Sequence, residues 1–230
     1  FGWKSCFLFL TVYTVFLGLI CLFLPETAQC LDKEALCFKT IRKRYGQQFS
    51  NRPLMLHAAL FGLGSSIIYL FATSAPYIGI NEMHLSPSLY GLLNMIPLFG
   101  FGLGQLFSSS IADTVIPRRA MIWGVGIMAI GALAMLLTFS LHFLIPLTLF
   151  VPQAIITIGI SLLGTNASSQ GLALSGDKAH ATGAVQFTNM SFAAIGTYIA
   201  SSWLPHTPIS LPSLYLVVIC LAAICWSKLY

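Results

Sequence analysis

The sequence predicts an all-α integral membrane protein with seven transmembrane helices, and three observations lead to this fold class. Of the 230 residues, 57% are hydrophobic and only 7% are charged, whereas a soluble domain carries roughly a quarter of its residues as charged side chains. Apolar windows of about 20 residues, long enough to cross the hydrocarbon core of a bilayer, recur along the chain. They show no alternation of polar and apolar residues, which excludes membrane-spanning strands. The composition also excludes a water-soluble enzyme, a disordered chain and a disulfide scaffold.

Seven apolar windows, bounded by charges or by Pro and Gly, are expected to form helices that we denote a to g. Their predicted limits are 5–24, 54–75, 88–111, 120–140, 143–164, 182–204 and 211–226. The only interruption between d and e lies around Ser140, His142 and Pro146. We therefore expect d and e to form an antiparallel pair.

The basic residues predict the orientation, because short loops rich in Lys and Arg stay on the cytoplasmic side. With seven helices, ten of the eleven basic residues fall on one side, and only Lys4 falls on the other. The ten are Lys33, Lys39, Arg42, Lys43, Arg44, Arg52, Arg118, Arg119, Lys178 and Lys228. This predicts a multi-pass protein of the cytoplasmic (inner or plasma) membrane, with the first residue outside and the last in the cytoplasm. Residues 26–53 form a cytoplasmic loop in this arrangement.

Polar side chains are unevenly distributed among the predicted helices. Helices b, c, e and f carry amides or clustered hydroxyls, whereas a, d and g are almost entirely apolar. Every third helix is therefore expected to face lipid, and the other four are expected to surround a cavity. The candidate cavity residues are Asn94, Gln105, Gln153, Asn166, Gln186 and Asn189. The alternative for each amide is a hydrogen bond between helices, which contributes roughly 0.6 to 2 kcal/mol.

No cofactor, metal site or catalytic residue is expected, and the chain is not expected to be an enzyme. The six cysteines have no metal-type spacing and are expected to be thiols in a reducing compartment. The net charge of +5 does not predict nucleic-acid binding, because the basic residues are not clustered beside aromatic side chains on a soluble face.

The link between helices c and d resembles a known loop signature. Residues 109–119 read Ser-Ser-Ile-Ala-Asp-Thr-Val-Ile-Pro-Arg-Arg, which is similar to the G-x-L-a-D-R-x-G-x-R-R loop of the major facilitator superfamily. The matches are Asp113, Arg118 and Arg119, which the resemblance implies to be a cytoplasmic gate motif. The sequence departs from the signature at its two glycines and its first basic residue, which are Ser109, Ile116 and Thr114 here.

Three further stretches resemble the bicyclomycin-resistance (Bcr/CflA) type of drug:proton antiporter within that superfamily. They are Gly-Trp-Lys with Leu-Pro-Glu-Thr around helix a, Ala-Pro-Tyr-Ile with Leu-Ser-Pro and Tyr-Gly-Leu around the b/c loop, and Gly-Thr-Asn-Ala with Ala-Thr-Gly-Ala across the e/f link. The resemblance implies the C-terminal portion of a twelve-helix transporter. Residues 1–25 would be helix six, residues 26–53 the interdomain loop, and residues 54–230 the C-terminal six-helix domain.

The resemblance also implies partners. These are protons, a small-molecule substrate of the amphipathic drug class, the lipid bilayer, and an N-terminal half that is missing from this sequence. No Asp or Glu lies within a predicted helix, so a proton-titrating carboxylate is expected in that other half, with His57 as a weaker candidate. Two alternatives stay open. One is a heptahelical receptor, although its Asp-Arg-Tyr and Asn-Pro-x-x-Tyr motifs are absent from the sequence; the other is a truncated product without activity.

Overall fold

The computed structural model describes residues 2–24, 37–203 and 207–229, and these residues form helices and short connections without a strand. The chain divides into two compact units, Phe1–Ile41 and Arg42–Tyr230. The first contains helix α1 (Trp3–Cys21), whose apolar side chains are exposed along its length.

The second unit contains most of the helices. Helix α2 (Phe38–Ser50) begins just before it, and α3 (Arg52–Pro76) continues into a π-helical segment (Tyr77–Glu82). The remaining helices are α4 (Pro87–Leu93), α5 (Met95–Ile111), α6 (Pro117–Ser140), α7 (Pro146–Ala173), α8 (Lys178–Trp203) and α9 (Ser210–Leu229).

Helix starts follow from local chemistry. A proline occupies the first turn of α3, α4, α6 and α7, where its missing N–H is not needed for the helix. The Asn51 side chain caps α3 by accepting a hydrogen bond from the Leu54 N–H at 3.3 Å. Ser86 caps α4 in the same way through the Leu89 N–H.

Six helical segments of the described residues are long and apolar enough to cross a membrane, by length and composition. They correspond to the predicted helices a, b, c, d, e and g. Predicted helix f is α8, which extends over 26 residues but carries more polar side chains than the others. Its predicted end at 204 lies outside the described residues. The predicted hairpin of d and e is confirmed, since α6 ends at Ser140, α7 begins at Pro146, and the two helices pack together.

Three predicted segments differ from the structure, in continuity, in length and in secondary structure respectively. Helix c is not continuous, because it is interrupted at Asn94 between α4 and α5. Pro97 has no N–H to donate to the Leu93 carbonyl, so the hydrogen-bond ladder breaks there. Helix e extends nine residues past its predicted end at 164. Five of residues 165–173 are polar, which ended the apolar window, but the segment is still helical. Residues 26–53 are not wholly a loop, since they include α2; residues 26–36 lie outside the described part of the chain.

The helices of the second unit form three layers. Helices α3 and α7 pack against each other in the middle layer. Helices α6 and α9 pack together on this pair, whereas α5 packs on α7 and α8 packs on α3. The two apolar helices d and g are thus neighbours in one layer. The core between the layers is dense around large buried side chains, including Phe139, Phe150 and Tyr215.

Candidate functional site

The groove between α3, α5 and α7 contains two neighbouring cavities. The first has a volume of about 480 Å³ and the second about 600 Å³. Ile68 of α3 and Phe101 of α5 line both cavities and therefore lie between them.

Two hydroxyl groups of α7 fix the position of α5 in this wall. The Thr157 hydroxyl donates to the Pro97 carbonyl at 2.9 Å, and the Ser161 hydroxyl donates to the Phe101 carbonyl at 3.0 Å. The helices also approach closely at Gly104, where an added Cβ would lie 2.8 Å from the Ile158 Cα. Small residues and interhelical hydrogen bonds are the usual means of joining helices in lipid. The backbone that carries Phe101 is therefore held firmly against α7.

The first cavity combines aromatic and apolar walls with two amides. Asn94 and Gln153 both line it, and none of its lining residues is charged. Gln153 is only 1% exposed, and its Oε1 accepts no hydrogen bond from any described residue. A buried acceptor without a partner costs free energy relative to a hydrogen-bonded one. The aromatic side chains in the lining are Phe71, Tyr90 and Phe101.

The second cavity has four hydroxyl groups and one amide among its lining side chains, the others being apolar or glycine. The Thr165 hydroxyl donates to Gln105 Oε1 at 2.9 Å, so this amide is already engaged on one side. The other hydroxyls in the lining belong to Ser65, Ser168 and Ser169. Like the first cavity, it has no charged lining residue. The structure therefore brings Asn94 and Gln153 to one cavity and Gln105 to the next.

The other three candidate amides line neither cavity. Asn166 donates to the Ser108 hydroxyl at 3.2 Å and to the Leu162 carbonyl at 2.8 Å, and so it joins α7 to α5. Gln186 is exposed on α8. Asn189 is buried, and its Oδ1 has no hydrogen-bond donor among the described residues.

Of the predicted gate motif, Asp113 lies in the connection between α5 and α6, whereas Arg118 and Arg119 lie in the first turn of α6. Asp113 and Arg119 are exposed. The Arg118 guanidinium lies over the ring of Trp226 at 5.3 Å, so it contacts the end of α9. Asp177 caps the start of α8. The His180 N–H donates to Asp177 Oδ1 at 3.2 Å, and the His180 ring lies 2.8 Å from Oδ2.

The contact with His180 also affects the acidity of the Asp177 carboxyl group. The hydrogen bond from the His180 side chain lowers the pKa of Asp177, and Arg44 contributes in the same direction. Asp177 therefore stays ionised as an N-cap, which suits the partial positive charge of a helix start.

Ionisable groups are sparse elsewhere in the groove. His57 is buried on α3, with its Nδ1 at 2.8 Å from the Pro53 carbonyl of the preceding turn. In the described residues, no three His, Cys, Asp or Glu side chains converge on a common point that could hold a metal ion.

Sequence reasoning missed the residues that organise the wall. Thr157 and Ser161 lie four residues apart on α7 and donate to carbonyls of α5. Gly100 and Gly104 of α5 have the same four-residue spacing and lie close to these two side chains. That matched spacing of hydroxyls and glycines was a usable signal, because both sets occupy one helix face. The aromatic lining gave no comparable signal, since aromatic residues are abundant throughout the sequence.

Comparison with known proteins agrees with this architecture. A family model of the Major Facilitator Superfamily matches residues 1–201. An uncharacterized transporter of Rickettsia felis (strain ATCC VR-1525 / URRWXCal2) is 28% identical over 174 residues, which are 70% of this chain and 42% of that protein. An uncharacterized transporter of Rickettsia bellii (strain RML369-C) is 32% identical over 110 residues, which are 45% of this chain and 26% of that protein. The matched regions thus span less than half the length of either relative. Together with the all-helical, membrane-spanning fold, the family match shows that this chain belongs to the major facilitator superfamily.

Proposed function

We propose that the chain is the C-terminal portion of a secondary active transporter of the Bcr/CflA type, which exports amphipathic small molecules by alternating access. In this proposal, α1 is the sixth of twelve helices and residues 54–230 form the C-terminal domain. The two cavities between α3, α5 and α7 are then one wall of the substrate path, and the N-terminal half supplies the other wall.

The observation that carries this proposal is the chemistry of the first cavity. Its lining is mainly aromatic and apolar, it contains no charge, and one of its lining residues, Gln153, has a buried Oε1 without a described partner. Ligand pockets commonly combine a mainly apolar lining with a few placed polar groups. Such a pocket suits an amphipathic molecule that donates one hydrogen bond. The packing of α6 with α9 in a separate layer also supports it, since it leaves these two apolar helices away from the cavities.

Proton coupling is the part of the proposal that depends most on the missing half. The acidic residues of the described chain lie at helix ends or in connections: Glu82, Asp113 and Asp177. An intramembrane carboxylate is the usual proton carrier in such transporters. We therefore place the titrating group in the N-terminal half, and we assign Asp113, Arg118 and Arg119 to the cytoplasmic gate.

The proposed location is the cytoplasmic membrane. The start of α1 would face outward and the end of α9 would face the cytoplasm. The positive-inside rule supports this orientation, because the starts of α3, α6 and α8 and the end of α9 all carry basic residues. Antiparallel succession of the helices places these four ends on one side.

Ethidium efflux tests the proposal. Cells without their own multidrug pumps would express either this chain alone or the chain preceded by the upstream part of its coding sequence. We expect efflux in the second arm only, and we expect a protonophore to abolish it. Gln153→Leu should reduce efflux by about fivefold or more, since a lost hydrogen bond to a buried group is worth about 1 to 3 kcal/mol. Ser213→Ala, at an exposed site on α9, is the matched control and should leave efflux unchanged.

The other outcomes separate the alternatives. Efflux that survives the protonophore would contradict proton coupling, and absence of ethidium movement in both arms would contradict drug export. Full efflux by the chain alone would contradict the requirement for an N-terminal half. The heptahelical receptor alternative receives no support from the family match, which is to transporters.

A further inference from the structure

In the described residues, contacts of Tyr45, Gln48 and Phe49 attach one face of α2 to the bundle. The Ser175 hydroxyl, in the turn between α7 and α8, donates to Gln48 Oε1 at 2.8 Å, and both residues are buried. The Tyr45 ring contacts the His180 ring edge-on at 5.1 Å between centroids. Near the end of α2, Phe49 contacts Phe187 of α8 at 5.9 Å. These contacts fix which side of α2 is turned away from the bundle.

The opposite side of α2 is basic. Lys43 precedes Tyr45 by two residues and Gln48 by five, which places it across the helix from the packed face. Arg42 and Arg44 lie to either side of this direction, and Arg52 follows at the start of α3. Residues 42–52 therefore hold four basic side chains and no acidic one.

Nearby carboxylates do not neutralise this surface within the described residues. Arg42, Lys43 and Arg52 are exposed, and none of them forms an ion pair with a described Asp or Glu. Arg44 contributes to the lowered pKa of Asp177, which is already hydrogen-bonded to His180 at the start of α8. We use the name basic face of α2 for the exposed side chains of Arg42 and Lys43 on α2 together with that of Arg52 at the start of α3.

The connection to α3 holds this face close to the bilayer. Only Asn51 separates the last residue of α2 from the first residue of α3, and α3 is long and apolar enough to span a membrane. A cluster of basic residues directly beside a membrane span attracts anionic lipid headgroups electrostatically, with an effect that falls off within a Debye length. A soluble polyanion lacks this enforced proximity.

We propose that the basic face of α2 is a binding surface for anionic phospholipid headgroups. The bound lipid would hold α2 through Arg42, Lys43 and Arg52. Since the other face of α2 contacts Ser175, His180 and Phe187, lipid binding would also stabilise the start of α8. The interaction is electrostatic, because α2 is polar overall and inserts little apolar area.

Native mass spectrometry of the full chain tests this surface. The chain would be released from nanodiscs that contain phosphatidylcholine with a minority of phosphatidylglycerol, and the retained lipids would be counted. We expect enrichment of phosphatidylglycerol over its bulk fraction. The Arg42→Gln/Lys43→Gln double variant should lower the enrichment at least about threefold. The control is Lys178→Gln/Lys228→Gln, which removes the same charge from exposed sites at the ends of α8 and α9.

The lipid counts support or contradict a binding surface on α2. Loss of phosphatidylglycerol enrichment in Arg42→Gln/Lys43→Gln, with enrichment retained in the control variant, supports it. An equal loss in both variants would mean that the net charge of the chain, and not the surface of α2, determines lipid binding. Retention of the two lipids in proportion to their bulk fractions by the unaltered chain would also contradict the proposal. Preferential, salt-sensitive binding of an RNA oligonucleotide without phosphatidylglycerol enrichment would assign the face to a different partner.

Hydrogen exchange tests the link from α2 to α8. In nanodiscs with phosphatidylglycerol, amides in the first turns of α8 should exchange several-fold more slowly than in phosphatidylcholine alone. Gln48→Ala removes the acceptor for Ser175, so it should keep the lipid enrichment but lose this difference. If Gln48→Ala kept the full difference in exchange, the connection through the docked face would be wrong.

Discussion

The guanidinium of Arg118 lies over the indole ring of Trp226 at 5.3 Å and joins the start of α6 to the end of α9. A cation above an aromatic face is stabilised by about 0.5 to 1 kcal/mol at an exposed site. The contact connects the two apolar helices that share one layer. Arg118, a residue of the predicted gate motif, thus also has a contact in the outer layer.

This contact predicts a difference between two adjacent arginines. Arg118→Gln should lower the free energy of unfolding by about 0.5 to 1 kcal/mol, whereas Arg119→Gln should leave it nearly unchanged. Thermal unfolding in detergent would measure both. A double-mutant cycle with Trp226→Leu should show coupling to Arg118 and none to Arg119. Absence of coupling in both pairs would mean that the ring contact does not stabilise the fold.

Two glycines of α5 provide a matched test of the contact with α7. An added Cβ at Gly104 would lie 2.8 Å from the Ile158 Cα, whereas an added Cβ at Gly102 would have no atom within 4 Å. Gly104→Ala should therefore destabilise the protein by about 1 to 3 kcal/mol through overpacking. Gly102→Ala should be neutral or stabilising, since alanine favours the helix. Equal effects in thermal unfolding would contradict the close approach of α5 and α7.

Gln153 and Asn166 should respond in opposite ways to replacement by leucine. Gln153 has a buried Oε1 without a described partner, so Gln153→Leu removes an unsatisfied acceptor and should leave the free energy of unfolding unchanged or raised. Asn166→Leu breaks the bond to Ser108 and should lower it by roughly 0.6 to 2 kcal/mol. A large loss for Gln153→Leu in thermal unfolding would show that this amide has a structural partner, and would remove the main argument for the first cavity as a ligand site.

Asp177 predicts a pH dependence of stability. Its pKa in the folded chain lies below the ordinary value of 3.8, because His180 hydrogen-bonds to the carboxylate. A lowered folded pKa stabilises the fold above the ordinary pKa, and this contribution is lost as the pH falls through the lowered value. Unfolding temperatures of the unaltered chain and of Asp177→Asn should therefore differ at neutral pH and converge only as the pH falls below 3.8 and through the lowered pKa. A constant difference at all pH values would contradict a role for the charge.

The fold was largely predictable from hydropathy, because bilayer thickness sets the length of an apolar span. The use of hydropathy also explains where the predicted helices differ from the structure. It ended helix e at 164, since the next residues are polar, yet they face the second cavity and a neighbouring helix and stay helical. It also missed α2, whose packed side chains Tyr45 and Gln48 are visible as a helical spacing but not as an apolar window.

The candidate site was predictable in composition but not in geometry. The amides were identified from their presence in otherwise apolar helices, but Asn166 bonds to Ser108 whereas Gln153 is part of the wall of the first cavity. That difference depends on the rotation of α7 against α5. The rotation is set by pairs distant in sequence, such as Ser161 with the Phe101 carbonyl, which no local pattern encodes.

Thiol accessibility in a bilayer tests the central claim that the groove between α3, α5 and α7 holds water while α6 and α9 face lipid. With the native cysteines replaced by serine, Asn94→Cys would be compared with Ile130→Cys on α6 and Val217→Cys on α9, which are two exposed apolar positions of those helices. A membrane-impermeant maleimide reacts with the thiolate, which forms in water. We expect modification at position 94 to be at least about tenfold faster than at 130 or 217. Equal rates at all three positions would contradict the separation of a wet groove from a lipid-facing layer.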